Sequence, residues 1–594
     1  MQITRTFDIL EYQAKNYPRE DAVAGKVDSE WIKYSTAEFI ENSELFAMAL
    51  IKIGIAKGDV VASVSSNKAE WNFIDMGLAM IGAVHLPIYP TISEADTLHI
   101  LNHAEPKMLI VGENKLYEKL KSIADEVPSI VEIYSISPVE GIDNWKILVE
   151  SIQEKEKEEL RRELEQRKTN IMPDDLVTLI YTSGTTGTPK GVMLTHENIV
   201  FNLLNFYKHH PCNETHKAVS FLPLCHIYER TINYHYMYKG IGVYYIANLG
   251  EIVGDVKTIK PDIFCSVPRL LEKIYDTIIS KGYELSGIQK SVFFWAVKLS
   301  NEYEHFQKGS LWYRLRRNIA DRLVFSKWRA ALTGKRLIVV SGGAAIQPRI
   351  ARAFGVAGIF CVEGYGMTET APVIAVNNPV QKMAKVGTVG PALPGIEVKI
   401  ADDGEILTRG KCVMKGYYKD PKATTSVIDE DGWLHTGDIG YFEDGLYLRI
   451  TDRKKEMFKL SGGKYIAPQV IENKLKESFF IEQAMVIGAD EKFASAIISP
   501  NLEFLRDWCK KRRLKFNDDK ELVELPEVQK VIQREVNRVN KTLAPFEQLR
   551  KIKVIPDTWN LVSGELSPTL KLRRKYISKK YSDIIESIYS HQNS

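Results

Sequence analysis

Residues 176–194 read LVTLIYTSGTTGTPKGVML. Leu176 to Thr182 is apolar and β-branched enough for a buried strand, and it runs directly into small and hydroxylated residues. Glycines let a backbone approach an anion closely, and successive N–H groups then point at it. Here Gly184 and Gly187 remove bulk, Thr182, Ser183, Thr185 and Thr186 supply hydroxyls, and Lys190 supplies one cation. That chemistry suits a polyphosphate. The stretch is not the nucleotide loop GxxxxGK[ST], because Lys190 follows Pro189 and Gly191 stands where that motif has Ser or Thr. Such a loop also opens straight into a helix. Val192 to Leu194 instead reads as a second strand, with Thr195 as the N-cap of the next helix. On composition alone, a threonine-rich surface loop stands as the alternative.

Working outward, the same pattern of buried strand and small-residue turn recurs in RLIVVSGGAA (336–345) and GIFCVEGYGMTET (358–370). DIFCSVPRLLEKIYDTI (262–278) adds a strand and then a helix with Pro268 near its start. Short apolar runs alternating with helical patterns predict an α/β sheet protein, in which ligands sit beyond the carboxyl ends of strands. A chain of 594 residues exceeds the ~250–300 at which one core stops growing, so at least two domains are expected. Past residue 451 the chain becomes polar and glycine-punctuated (TDRKKEMFKLSGGKY, 451–465). It then shows strands at Ala484 and Ala496, a helix with Val528, Val531, Ile532, Val536 and Val539 on one face, and a strand near Lys551. The predicted class is α/β: a large N-terminal domain of several subdomains with mixed sheets flanked by helices (1–451), and a small α+β C-terminal domain (452–594).

The net charge of +3 argues against a nucleic-acid partner. Six cysteines form no CxxC pair and no zinc spacing, so they read as buried thiols of a reducing compartment. The N-terminus has no apolar signal core, and no apolar run reaches the ~20 residues of a membrane span. A cytoplasmic location is expected, with contact to the inner face of a membrane left open, as is the choice between monomer and homodimer. The almost wholly charged segment 154–168 reads as a solvated helix.

YTSGTTGTPKG resembles the phosphate-loop signature of the adenylate-forming (AMP-binding) enzymes, and further stretches match in the expected order: SGGAA (341–345), YGMTET (365–370), TGD (436–438), DRKKEMFKLSGGKYI (452–466) and ELSPTLKLRRK (565–575). FLPLCHIYER (221–230), SVPRLLEKIYDTI (266–278) and PTLKLRRK (568–575) are most similar to the long-chain fatty acid–CoA ligases of that superfamily. Leu570 before Lys571 follows that branch, while Cys225 stands where a smaller residue is usual.

The resemblance implies a ligase that activates a long-chain fatty acid with ATP and Mg2+ as acyl-AMP, releasing pyrophosphate, and then transfers the acyl group to CoA. The loop Thr182, Ser183, Gly184, Thr185, Thr186, Gly187 and Lys190 would hold the phosphates, and Glu369 with Thr182 the metal. Tyr365, Gly343, Glu363 and Gly364 would surround adenine, and Thr368 would touch the α-phosphate. Asp438 and Arg453 would bind the ribose, and Lys459 a phosphate. Lys571 would bridge the attacking carboxylate and the α-phosphate, and His226 would steer at the junction of the acyl and nucleotide sites. Lys455 would be the hinge on which a mobile C-terminal domain turns between the two half-reactions. Two other readings stand beside this one: a fatty acyl-AMP ligase serving a carrier protein, and a non-catalytic nucleotide- or lipid-binding protein. The tyrosine-rich residues 227–246 suit an acyl tunnel or a core helix equally. The basic, aromatic stretches 311–329 and 507–516 suit an anionic lipid surface, a solvated face or, for one of them, the phosphates of CoA.

Overall fold

The computed structural model describes residues 3–183, 188–209, 211–248, 250–560, 563–566 and 571–590. The chain forms two compact units: residues 1–399 with 407–435 and 443–448, and residues 400–406 with 436–442 and 449–594.

The first unit is built on two eight-stranded sheets. One runs in the order Val373–Val376, Ile359–Gly366, Leu337–Ser341, Ile263–Ser266, Lys217–Ser220, Gly242–Tyr245, Val23–Val27, Glu30–Tyr34. Its six inner strands are parallel and both edge strands antiparallel. The other runs Gly416–Tyr417, Pro189–Thr195, Leu176–Ser183, Val84–Ile88, Val60–Val64, Met108–Val111, Glu132–Ser135, Asp143–Asn144. Parallel strands covered on both faces lose the alternation of a half-wet sheet. Val60–Val64 and Val84–Ile88 are accordingly buried at every residue. The helix Ala69–Ile81 joining them is apolar nearly all round, and only its residue Glu70 escapes full burial.

Polar residues buried in this core are paired across elements. Ser63 Oγ lies 2.7 Å from His85 Nε2, and His85 Nδ1 lies 2.7 Å from Asp75. Arg230 and the Tyr234 hydroxyl both donate to Asp75. Burial alone would raise the Asp75 carboxyl; Arg230 and His85 outweigh it and hold the group down at about 2. The hydrogen-bond order Ser–His–Asp is that of a hydrolytic triad, but Ser63 is fully enclosed and Asp75 is committed to Arg230. The set is structural.

The tyrosine-rich segment forms the helix Ile227–Tyr238, with ten of its twelve residues buried, and the buried strand Gly242–Tyr245. The charged helix Glu154–Asn170 is largely exposed, burying only Leu164 and Lys168. All six cysteines are buried and free. Among the described residues no helix is long and apolar enough to cross a membrane.

In the second unit Ile481–Ile487 pairs antiparallel with Ser495–Pro500, which pairs parallel with Lys551–Val554. The helix Pro526–Asn540 opens on a proline, whose missing N–H costs nothing there, and buries Val528, Val531, Ile532, Val536 and Val539 against this sheet's core, the face its spacing predicts.

Candidate active site

Leu176–Ser183 and Pro189–Thr195 form an antiparallel hairpin, with Thr182 opposite Lys190 and Tyr181 opposite Gly191. The stretch therefore turns back into a strand, as its residues predict, and Thr195 caps the following helix by accepting from Asn198 N at 3.2 Å. Gly191 has its own reason: a Cβ there would stand 2.9 Å from the Tyr181 ring. The hairpin is braced from one helix, Glu94–Ala104. His103 Nδ1 meets the Tyr181 hydroxyl at 2.6 Å, and His99 Nε2 meets the Pro189 carbonyl at 3.3 Å. Gly184, Thr185, Thr186 and Gly187 lie outside the described residues, and of Ser183 only the backbone is described.

Glu369 lies on the short 3-10 turn Thr368–Thr370 and is 7% exposed. It accepts from the Tyr417 hydroxyl at 2.9 Å, and Lys190 Nζ stands 5.2 Å above the same Tyr417 ring. Tyr417 in turn sits on the edge strand paired with Pro189–Thr195. One tyrosine thus ties the predicted metal carboxylate to the predicted phosphate hairpin, across the two sheets. Burial, then the Glu369 charge, pushes the Tyr417 phenol far up, so it donates at every working pH. Nothing in the motifs quoted above singled out Tyr417.

Leu337–Ser341 and Ile359–Gly366 are adjacent parallel strands with Ser341 opposite Glu363, so their carboxyl-end turns lie side by side. Gly343 has φ +81°, and an added Cβ would meet only open space. Its glycine is demanded by the backbone, and no neighbouring atom crowds the position. Glu363 is buried and accepts from Ile346 N at 3.2 Å, which joins the two turns. Gly364 and Tyr365 continue the strand opposite Val376 and Ala375, with Tyr365 half-buried. His226 is the N-cap of Ile227–Tyr238; its Nδ1 accepts from Tyr228 N at 3.1 Å, and its ring stands edge-on to Tyr89 at 6.2 Å. A cap role is thus added to whatever it does for a ligand.

The remaining predicted residues fall in the second unit. Asp438 is buried, and Arg453 Nε lies 3.4 Å from its carboxylate. Lys571 is exposed by surface area while its ammonium is crowded by protein. That crowding, with the Arg453 cation beside it, lowers the ammonium to about 8 against the pull of Asp438 and Glu456. Lys455 is exposed on the turn after the strand Tyr447–Arg453, and Lys459 Nζ stands 5.8 Å over the Tyr465 ring. Arg574 reads in sequence as one cation of a run. It is in fact largely buried, with two bonds to Glu472 at 2.6 and 2.9 Å and one to Glu456 at 2.9 Å. It fixes the segment after Lys571 to the turn that carries Lys455.

Two family models match the chain: AMP-binding enzyme over residues 10–418, and AMP-binding enzyme C-terminal domain over residues 455–593. The chain belongs to the AMP-binding enzymes. Among curated members of that family, a long-chain-fatty-acid–CoA ligase of Mycobacterium bovis is 32% identical over 95% of this chain and 94% of its own length. Long-chain-fatty-acid–CoA ligase 1 of Homo sapiens is 32% identical over 94% and 82%. Of solved structures, the adenylation domain of a Mycobacterium chelonae carboxylate reductase superposes with a TM-score of 0.74 at 21% identity, covering 99% of this chain and 91% of that one. It shows the AMP-binding fold.

Magnesium held by such a site takes one or two carboxylates and fills its other positions with phosphate oxygens and water. Among the described residues no cluster of three or more His, Cys, Asp or Glu is placed to hold a metal alone. A single buried carboxylate, Glu369, tied through Tyr417 to the hairpin that bears Thr182, fits that donor set.

Proposed function

We propose that this chain is an ATP-dependent ligase that joins a long-chain fatty acid to CoA through an acyl-adenylate. The observation that carries the reading is the 32% identity to a long-chain-fatty-acid–CoA ligase along 95% of the chain. A fatty carboxylate cannot acylate a thiol directly, because its leaving group would be oxide. In the first step a carboxylate oxygen bonds to the α-phosphorus of ATP, and pyrophosphate leaves with the electrons of the broken P–O bond. In the second the CoA thiol attacks the acyl carbon and AMP leaves. Negative charge gathers in both, so fixed cations and donors carry the catalysis.

In this reading the hairpin from Thr182 to Lys190 binds the β- and γ-phosphates. Glu369, with Thr182, holds magnesium, which supplies a counter-charge on phosphate oxygens when bound. Gly343, Glu363, Gly364 and Tyr365 receive adenine, and Thr368 the α-phosphate. Asp438 accepts from a ribose hydroxyl and Arg453 donates to the other. Lys459 meets a phosphate, His226 steers the acyl group, and Lys571 bridges the reacting carboxylate and α-phosphate. No general base is needed, since a fatty acid is already ionised near neutrality.

The test is AMP release with CoA over acids of increasing chain length, alongside ATP–pyrophosphate exchange. The proposal expects both activities, strongest with long chains. Exchange without acyl-CoA would point to a carrier-protein acceptor, and absence of exchange with every acid would remove the enzymatic reading.

A further inference from the structure

The two basic, aromatic stretches look alike in sequence and differ in structure. In residues 507–516, Trp508 and Phe516 pack against the core of their own unit, and Arg512 lies over Trp508 at 4.0 Å. Their aromatic surface is spent on folding. Residues 311–332 do the opposite. They form the helix Leu311–Ala320, a π-helical turn Asp321–Phe325 and the helix Ser326–Leu332. One face buries Tyr313, Ala320, Val324, Phe325 and Trp328. The other presents Leu311, Trp312, Leu315, Ile319 and Leu323, each between 46% and 77% exposed.

Leu311, Leu315, Ile319 and Leu323 step by four. On a pure α-helix such a row drifts by about 40° per step, from 3.6 residues per turn. The π-helical turn takes one more residue into each hydrogen-bonded ring and offsets that drift at the end of the row. The result is a long apolar ridge on the outside of the first unit, and monomers seldom leave so continuous an apolar strip wet.

Residues 311–329 contain six basic residues and one acidic one. The acid, Asp321, is taken by Arg329 at 2.6 Å, and Arg316 is taken by Glu302 at 2.9 Å. Arg317 leans over the Tyr303 ring at 5.8 Å. Arg314, Arg322 and Lys327 are exposed and in no ion pair among the described residues. Arg314 follows Leu311, and Arg322 follows Ile319, by three positions, about one helical turn along the same side, so the ridge is edged with positive charge.

We infer that this ridge docks on an anionic lipid surface. An apolar strip with cations along its margins, and an indole at one end, is the make-up of a helix lying in the headgroup region. The long Arg and Lys stems lie along apolar surface while their charges reach the phosphates. A second copy of the chain fits less well, because a two-fold contact would oppose the same cations to one another. Nucleic acid would satisfy the cations and leave the leucine row in water. The inference adds a partner and is independent of the ligase chemistry proposed above.

The test is co-sedimentation of the full-length protein with vesicles of phosphatidylcholine alone and of phosphatidylcholine with phosphatidylglycerol. Binding to the second and not the first, falling as salt is raised, is expected. Leu315→Glu/Ile319→Glu should lower binding by more than about tenfold, and Arg314→Gln/Arg322→Gln by roughly fivefold for each charge removed. Should the first pair fail to fold, the uncharged Leu315→Ser/Ile319→Ser carries the same expectation. Absence of binding to the anionic vesicles overturns the inference, as does equal pelleting of wild type and the ridge variants. So does self-association in light scattering that the ridge variants abolish, which would assign the face to a second copy.

Discussion

Arg230 Nη1 donates to the Thr178 hydroxyl at 2.8 Å. Thr178 lies on the first strand of the hairpin Leu176–Thr195, and Arg230 lies one turn into the helix capped by His226. The Arg230 guanidinium also holds Asp75, and Thr178 donates to the His85 carbonyl at 2.7 Å. Two segments of the candidate site are thus fixed to each other by a fully buried ion pair and its hydrogen bonds.

Removing that cation strands the Asp75 charge in the core. Arg230→Met should cost about 3–5 kcal/mol of stability, read in denaturant or thermal unfolding. Asp75→Asn/Arg230→Met should recover part of the loss, because no unpaired charge is then buried. A single-variant loss within the range of a surface substitution would contradict the assigned pairing.

In the proposed role Lys571 acts as a cation, and crowding by protein lowers its ammonium from 10.5 to about 8. The group is protonated below that value and loses its charge above it. Adenylate formation should therefore decline as pH rises through about 8, followed as ATP–pyrophosphate exchange. Lys571→Ala should lower exchange by roughly 10²–10³ and flatten this alkaline limb. Lys571→Arg should flatten it too, since guanidinium stays charged.

Tyr417→Phe removes the donor to Glu369 and keeps the ring under Lys190. A hydrogen bond to a charged group contributes about 1.5–3 kcal/mol. The expected result is a stability loss of that order in thermal unfolding, since the bond lies in the interior, together with a raised magnesium–ATP requirement of the exchange reaction. An unaltered requirement would separate Glu369 from the metal.

Gly343 and Gly366 make a contrasting pair. A Cβ at Gly366 would stand 1.7 Å from the Pro372 carbonyl oxygen, so Gly366→Ala should fail to fold. A Cβ at Gly343 meets open space and only the +81° backbone opposes it. Gly343→Ala should cost on the order of 1 kcal/mol in stability, yet weaken nucleotide binding by more, as isothermal titration with AMP would show.

Lys455→Pro fixes φ in the turn after Tyr447–Arg453. It should impair thioester formation more than adenylate formation in single-turnover assays. Equal impairment would deny Lys455 the role of hinge.

Much of this was legible because local chemistry dictated it. The hairpin's return strand could be read from Val192 to Leu194, and the buried face of Pro526–Asn540 from its valine spacing. What escaped depended on contacts far apart in the chain. Arg230 and Asp75 are 155 positions apart, and Arg574 and Glu472 102. No periodicity marks such a pair, and Arg574 is hidden among cations that remain wet. Tyr417 lies on a two-residue edge strand, too short to announce itself. Trp312 and Trp508 sit in similar sequence, and only tertiary packing decides which one stays exposed.

The enclosed cysteines bear on what becomes of a primed acyl group. An acyl-adenylate is an electrophile toward any thiolate within reach. Burial pushes all six of the protein's own thiols upward, Cys212 and Cys412 to about 12 and Cys225, Cys265, Cys361 and Cys509 also above their ordinary value. Buried and held toward the neutral thiol, these side chains are poor competitors for the activated chain.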